Sequence, residues 1–256
     1  MAKQQPPSPS PKHVLSDAER KSRQDLVSIY TQALCRLEER YHQRRKQTQG
    51  LIYVLYAVNT AVFVAWMYSK IQAYQANDPT STRKARQWRD FMEKNFMMSE
   101  RNAREGRWWT NLTCAVSHQN PIHFAVNMFT MRNAASFVLV GMPQVGPLSF
   151  VALCVGSTLA AAAGSRLSSR LTAGGDSRSS LGASGMLCGI LSAATCAYPK
   201  QLGLITAAWF AFDLGMVSTG GSVFSPLGHG AHLGGTVFGV LFYVAAIRRS
   251  TFPRFQ

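Results

Sequence analysis

Charge is what the second half of this chain has least of. Residues 108–256 carry eight basic and two acidic side chains, and the two acids are Asp176 and Asp213. An ordinary soluble surface has about a quarter of its residues charged, so this half is not one. The chain of 256 residues has a net charge of +15, but residues 1–107 hold 19 of the basic and 10 of the acidic side chains. A mean hydropathy of −0.04 therefore averages a polar half with an apolar one. This pattern excludes a soluble enzyme, a disordered protein and a simple nucleic-acid binder, despite an isoelectric point near 10.1.

Paired cysteines are also missing. Cys35, Cys114, Cys154, Cys188 and Cys196 include no C-x-x-C pair, which argues against a disulfide framework and against a thiolate metal site. They are expected to be small core residues. No apolar run occurs in the first 30 residues, so no cleaved secretory signal is expected.

What the chain does have divides it into three parts. Residues 1–50 begin with a Pro/Ser-rich stretch at 2–12, read as disordered, followed by a basic amphipathic helix. Ser16 and Glu19 form a capping box, and Leu26, Tyr30, Ala33, Leu37 and Tyr41 recur on one face. That stripe is expected to pack on its own domain or on a membrane surface. Residues 51–247 hold six apolar stretches, at 51–69, 121–140, 147–166, 182–199, 201–219 and 229–247. Lipid offers no partner to an open backbone, so each is predicted to be a spanning helix. Residues 248–256 form a short basic tail.

The fold class predicted is all-α: a polytopic membrane protein with a six-helix bundle and a polar N-terminal helical arm. Between the first two spans, in the polar segment 70–120, Trp88, Phe91, Met92 and Phe96 share a helical face. They predict an interfacial helix lying flat at the headgroups, with Trp108 and Trp109 in the aromatic belt. The run TLAAAAGS at 158–165 suggests close helix contact.

Polar groups at membrane depth are costly, which makes them functional candidates. Ser184 lies in Gly182-Ala183-Ser184-Gly185 at the start of the fourth span, His232 in the sixth, and His123 and Asn127 in the second. In the sixth span His232, Gly235 and Gly239 share one helical face. Gly185 and Gly189 offer a matching groove on the fourth, so the two helices can approach where the serine and histidine sit. A serine hydroxyl needs a base within hydrogen-bond reach before it becomes a nucleophile. His123 and Asn127, at i and i+4, point their donors the same way, as stabilising an oxyanion requires.

In these motifs, H-x-x-x-N, G-x-S-G and A-H-x-x-G-x-x-x-G in that order over residues 108–256, the chain resembles the rhomboid intramembrane serine proteases. The resemblance implies a six-span core with a Ser–His dyad, Ser184 as nucleophile and His232 as base and acid. It also implies an oxyanion hole from His123, Asn127 and the Ser184 backbone N–H, with Gly182, Gly185, Gly235 and Gly239 supporting the motifs. The implied activity is endopeptidase cleavage of transmembrane segments, without metal or other cofactor; the partners are transmembrane substrates and the lipid bilayer, with no nucleic acid. A rhomboid-like pseudoprotease that binds membrane clients is the alternative. The stretches at 117–129, 180–185 and 229–239 are similar to the mitochondrial, presenilin-associated rhomboid-like branch. That similarity implies the mitochondrial inner membrane, with a secretory-pathway membrane as the alternative; the sequon Asn111-Leu112-Thr113 would serve only in the latter.

Four further expectations concern single residues. Trp109-Thr110 stands where many rhomboids carry Trp-Arg. Arg132, inside the second span, is expected to face Asp213 in the fifth. Asp213 is given no part in the dyad, and His229 is placed at the mouth of its span. His229-x-x-His232 lacks a third ligand for zinc, and His118 is expected to be a structural hydrogen-bonder at the membrane surface.

Overall fold

A computed structural model describes residues 16–171, 179–220 and 228–248. The Pro/Ser-rich stretch at 2–12 and residues 249–256 of the tail lie outside them. The described backbone is helical apart from short links and one isolated antiparallel bridge between Met98 and Ser180. The chain divides into two units, Met1–Gln43 and Arg44–Gln256.

The first unit is the N-terminal part of helix α1, which runs over Asp17–Gln75. Its capping box is formed: the Ser16 N–H donates to Glu19 Oε2 at 2.7 Å and Ser16 Oγ accepts from the Glu19 N–H at 3.3 Å. These bonds satisfy two donors left open by the helix start, and the Ser16 N–H together with the Ser16 hydroxyl, which donates to Glu19 Oε2 at 2.8 Å, hold the Glu19 carboxyl below its usual range. Leu26 and Tyr30 of the predicted stripe are exposed, and so is Cys35, which is not the core residue expected.

In the second unit, α1 is followed by α2 (Pro79–Phe96), α3 (Glu100–Arg104) and α4 (Thr110–Thr113). Then come α5 (Pro121–Ser136), α6 (Pro147–Leu171), α7 (Ser184–Ala197), α8 (Pro199–Ser218) and α9 (His229–Phe242). Single π-turns extend α5 through Phe137–Gly141 and α9 through Tyr243–Ile247. Among the described residues, four helices are long and apolar enough to cross a membrane: α1, α6, α8 and α9 with its π-turn. The protein is thus a multi-pass integral membrane protein. Of the other two expected spans, α7 is shorter, with 14 residues, and α5, 16 residues continued by its π-turn to Gly141, is not among these four. Gly182 at φ +125° and Pro199 bound α7, and 14 residues at about 1.5 Å each reach only ~21 Å.

The predicted interfacial helix has a partner within the protein. In α2, Met92 is buried against Val62 and Trp66 of α1, with Trp88 and Phe96 packed beside it. Trp88 Nε1 donates to the Ala65 carbonyl at 3.1 Å. Only Phe91 of the four predicted apolar residues is exposed. The apolar face of α2 therefore covers the protein's own first span, because a neighbouring helix offers both dispersion contacts and an acceptor for the indole. Asp78 caps α2 by accepting from the Thr80 and Ser81 N–H groups at 2.8 and 3.1 Å.

The centre of the bundle is α6, α7 and α9. The glycine grooves foreseen on α7 and α9 do meet: a Cβ on Gly235 would collide with the Gly185 carbonyl, and one on Gly239 with the Gly189 carbonyl. Small residues on α6 complete the contact, with Ala161 against Gly185 and Ser157 against Gly189. Ser192 of α7 donates to the Thr236 carbonyl of α9 at 2.9 Å, and Thr195 meets Thr206 of α8 at 2.8 Å. Association in lipid rests on such packing and interhelical bonds, since lipid tails are as apolar as the helices. Cys114 and Cys154 are buried; Cys188 and Cys196 are half-buried.

Candidate active site

The segment before α7 is held from several sides. Met98 and Ser180 exchange backbone bonds at 3.0 and 2.8 Å, and the Gly182 N–H donates to the Cys114 carbonyl at 2.8 Å. Gly182 has φ +125°, a conformation open to glycine, and a Cβ there would lie 2.5 Å from His123 Cε1. The missing side chain thus serves the turn and admits the imidazole. The Ala183 N–H donates to His118 Nε2 at 3.3 Å. Ser184 then opens α7, so its own N–H is one of the helix's orphan donors at the positive end of the helix dipole.

The seam between α7 and α9 brings the two motif residues together. His232 Nε2 lies 2.9 Å from Ser184 Oγ. On the far side of the ring, His232 Nδ1 lies 3.2 Å from Asp213 Oδ1. Asp213, on α8, is 1% exposed and was given no part in the site by the sequence. Its second partner is His229, whose Nδ1 is 2.6 Å from the same oxygen. His229 is the first residue of α9 and is buried there, with the Phe212 ring 5.4 Å away. The expected Arg132–Asp213 pair does not form: Arg132 is exposed, and the carboxylate turns to two imidazoles that reach it from the next helix.

From α5, His123 stands beside Gly182, and Asn127 lies one turn further along the same helix. Asn127 is buried and spends one amide hydrogen on the His123 carbonyl at 2.8 Å, which leaves its second N–H to give. His118 is fully buried in the protein; its ring stands edge-on to His123 with centroids 5.2 Å apart. Burial, and then the neighbouring His123, pushes His118 down to about 4, so it stays neutral and its Nε2 remains an acceptor. The link carrying His118 is pinned by Trp66 Nε1, which donates to Ser117 Oγ at 2.8 Å. Sequence reasoning missed this tryptophan and Asp213. A lone acid in an apolar span was the available signal for the second.

Thr110 is buried and donates to the Arg107 carbonyl at 2.8 Å. The guanidinium comes from three residues earlier: Arg107 Nη1 donates to Asn102 Oδ1 at 2.8 Å, and Asn102 Nδ2 bonds the Glu93 and Met97 carbonyls. A cation therefore still braces this segment. Asn111, of the sequon, accepts from Arg166 at 2.5 Å.

The model of the rhomboid domain matches residues 105–249, more than half of the chain. This chain belongs to the rhomboid family. No individual characterised protein and no solved structure gave a match of its own. The rhomboid match begins two residues before Arg107 and takes in α4 to α9, so it contains every polar residue of the site.

Proposed function

We propose that this rhomboid is an intramembrane serine endopeptidase that cuts transmembrane segments of other membrane proteins. The observation that carries the reading is the pair of distances about one ring, 2.9 Å from His232 Nε2 to Ser184 Oγ and 3.2 Å from Nδ1 to Asp213. Asp213 accepts the Nδ1 proton, which leaves Nε2 with its lone pair towards the serine. Ser184 attacks a backbone carbonyl of the substrate as His232 takes its proton, and the C–N bond breaks as His232 returns that proton to the amine. Water then hydrolyses the acyl-enzyme. The Ser184 N–H, the free Asn127 N–H and His123 are assigned to the oxyanion, where preorganised donors act most strongly. Asp213 is a positioning residue rather than a member of the reacting set.

Six crossings are the topology this reading takes, with α5 and the short α7 added to the four long apolar helices. The sequence similarities at 117–129, 180–185 and 229–239 favour the mitochondrial inner membrane. A glycan on Asn111 removable by endoglycosidase would place the protein in the secretory pathway instead. Thr110 is the residue that favours a pseudoprotease, and a cleavage assay separates the two readings. In liposomes carrying a single-span substrate, wild-type protein is expected to release two fragments, while Ser184→Ala and His232→Ala release none. Cleavage by Ser184→Ala at the wild-type rate would overturn the proposal.

A further inference from the structure

In sequence, His229-x-x-His232 has no third zinc ligand in its own helix. The fold supplies one. Asp213, His229 and His232 are all buried, and their ligand atoms lie within 4.8 Å of one another. Both Nδ1 atoms converge on one carboxylate oxygen, at 2.6 and 3.2 Å. The two rings stand at 79° with centroids 6.2 Å apart, so they approach the oxygen from different directions. Ligands about 2.0–2.2 Å from a tetrahedral zinc ion lie roughly 3.3 Å from one another. One of the two distances already has that value, and the other needs opening by about 0.7 Å. Phe212 against His229 and Trp209 against His232, with centroids 5.4 and 6.4 Å apart, give the group an aromatic shell.

We infer that Asp213, His229 and His232 form a binding site for Zn²⁺, or another divalent cation of similar preference, and that the ion switches the site off. One carboxylate and two imidazoles are a ligand set typical of zinc, which accepts three protein ligands and leaves a fourth position open. The inhibition follows from tautomer chemistry and rests on the catalytic reading of Ser184 and His232; the binding does not. In the free protein Nδ1 carries the ring proton, directed at Asp213, and Nε2 is the acceptor. A cation bound at Nδ1 takes that lone pair, so the neutral ring must hold its proton on Nε2. Nε2–H then donates towards Ser184 Oγ and has no lone pair for the serine proton. His229, whose Nδ1 is directed at the same oxygen, shifts its ring proton to Nε2 in the same way; no bond to carbon forms or breaks, and each proton only moves between the two nitrogens of its own ring.

Cobalt provides the test, because four-coordinate Co²⁺ absorbs strongly in the visible. Chelator-stripped full-length Ser184→Ala protein in detergent, which keeps all three ligands, is titrated with Co²⁺. The expected result is a visible band that saturates at a single equivalent, is displaced by Zn²⁺ and is abolished by EDTA. Adding Asp213→Asn or His229→Gln should weaken the band's affinity at least about tenfold, with helix content by circular dichroism checking that each variant is folded. If one fails to fold, the other carries the comparison. Absence of the band at millimolar cobalt, its persistence in both variants, or a thiolate-to-cobalt charge-transfer band would overturn the proposal. In the active protein, Zn²⁺ should inhibit cleavage reversibly, and His229→Gln should need at least about tenfold more zinc for half-inhibition of its own metal-free rate. Equal sensitivity would contradict the assignment. The cobalt band is read without Ser184, so it stands or falls separately from proteolysis.

Discussion

At the scale of single residues, a serine hydroxyl, an imidazole and a carboxylate line up across three helices, α7, α9 and α8. In the proposed reading the carboxylate sets the tautomer of the imidazole, and the imidazole takes the serine proton. Asp213→Asn replaces an acceptor with an amide that can donate, which favours the wrong tautomer of His232. We predict a kcat lower by about 10²–10⁴-fold with KM changed by less than about threefold, measured on a reconstituted substrate. A purely structural role would move KM and stability together with kcat. His118 gives a second prediction, in pH. Its ring is held at about 4 in the folded protein against an ordinary 6.5. The unfolded chain therefore binds the proton more readily between those values. The stability that neutral His118 contributes is complete above pH 6.5 and is lost as pH falls towards 4. His118→Asn keeps an acceptor for the Ala183 N–H without titrating, so its unfolding temperature should fall less steeply over that window. The legibility of these residues in the sequence differs for a physical reason. Ser184, His232, His123 and Asn127 sit in short motifs whose spacing has meaning on one helix. Asp213 lies 19 residues before His232, and its role exists only once α8 packs on α9.

At the scale of elements, the α7–α9 seam sets the distance on which the chemistry depends. The glycines that make it were readable, because a 3.6-residue period places Gly235 and Gly239 beneath His232. Gly235→Val should force the helices apart, since its Cβ has only the Gly185 carbonyl to meet. Overpacking of this kind costs about 1–3 kcal/mol, so the unfolding temperature in detergent should drop and cleavage should be lost before the fold is. A valine variant with unchanged stability and activity would contradict the seam as described. The partner of α2 was not readable. An apolar stripe at 88–96 satisfies a headgroup layer and a neighbouring helix equally well in sequence, and only the contact with Val62 and Trp66 separates them.

At the scale of the whole molecule, sparse charge correctly announced a multi-pass membrane protein, but hydropathy overstated the helix at 182–199. A window of apolar residues does not register that a left-handed glycine and a proline cut it to 14 residues. The six-crossing topology is testable at that helix. In a background without native cysteines, Ser179→Cys and Lys200→Cys should react with a membrane-impermeant maleimide from opposite faces of the bilayer. Labelling from one face would make α7 re-entrant.

The central claim is that Ser184 is a nucleophile activated by His232, and a covalent adduct tests it most directly. Reconstituted protein is treated with a fluorophosphonate, and intact and digested masses are measured by mass spectrometry. The account predicts one adduct, located on Ser184, absent from Ser184→Ala and strongly slowed in His232→Ala. An adduct elsewhere, or labelling of Ser184 at the same rate without His232, would contradict it.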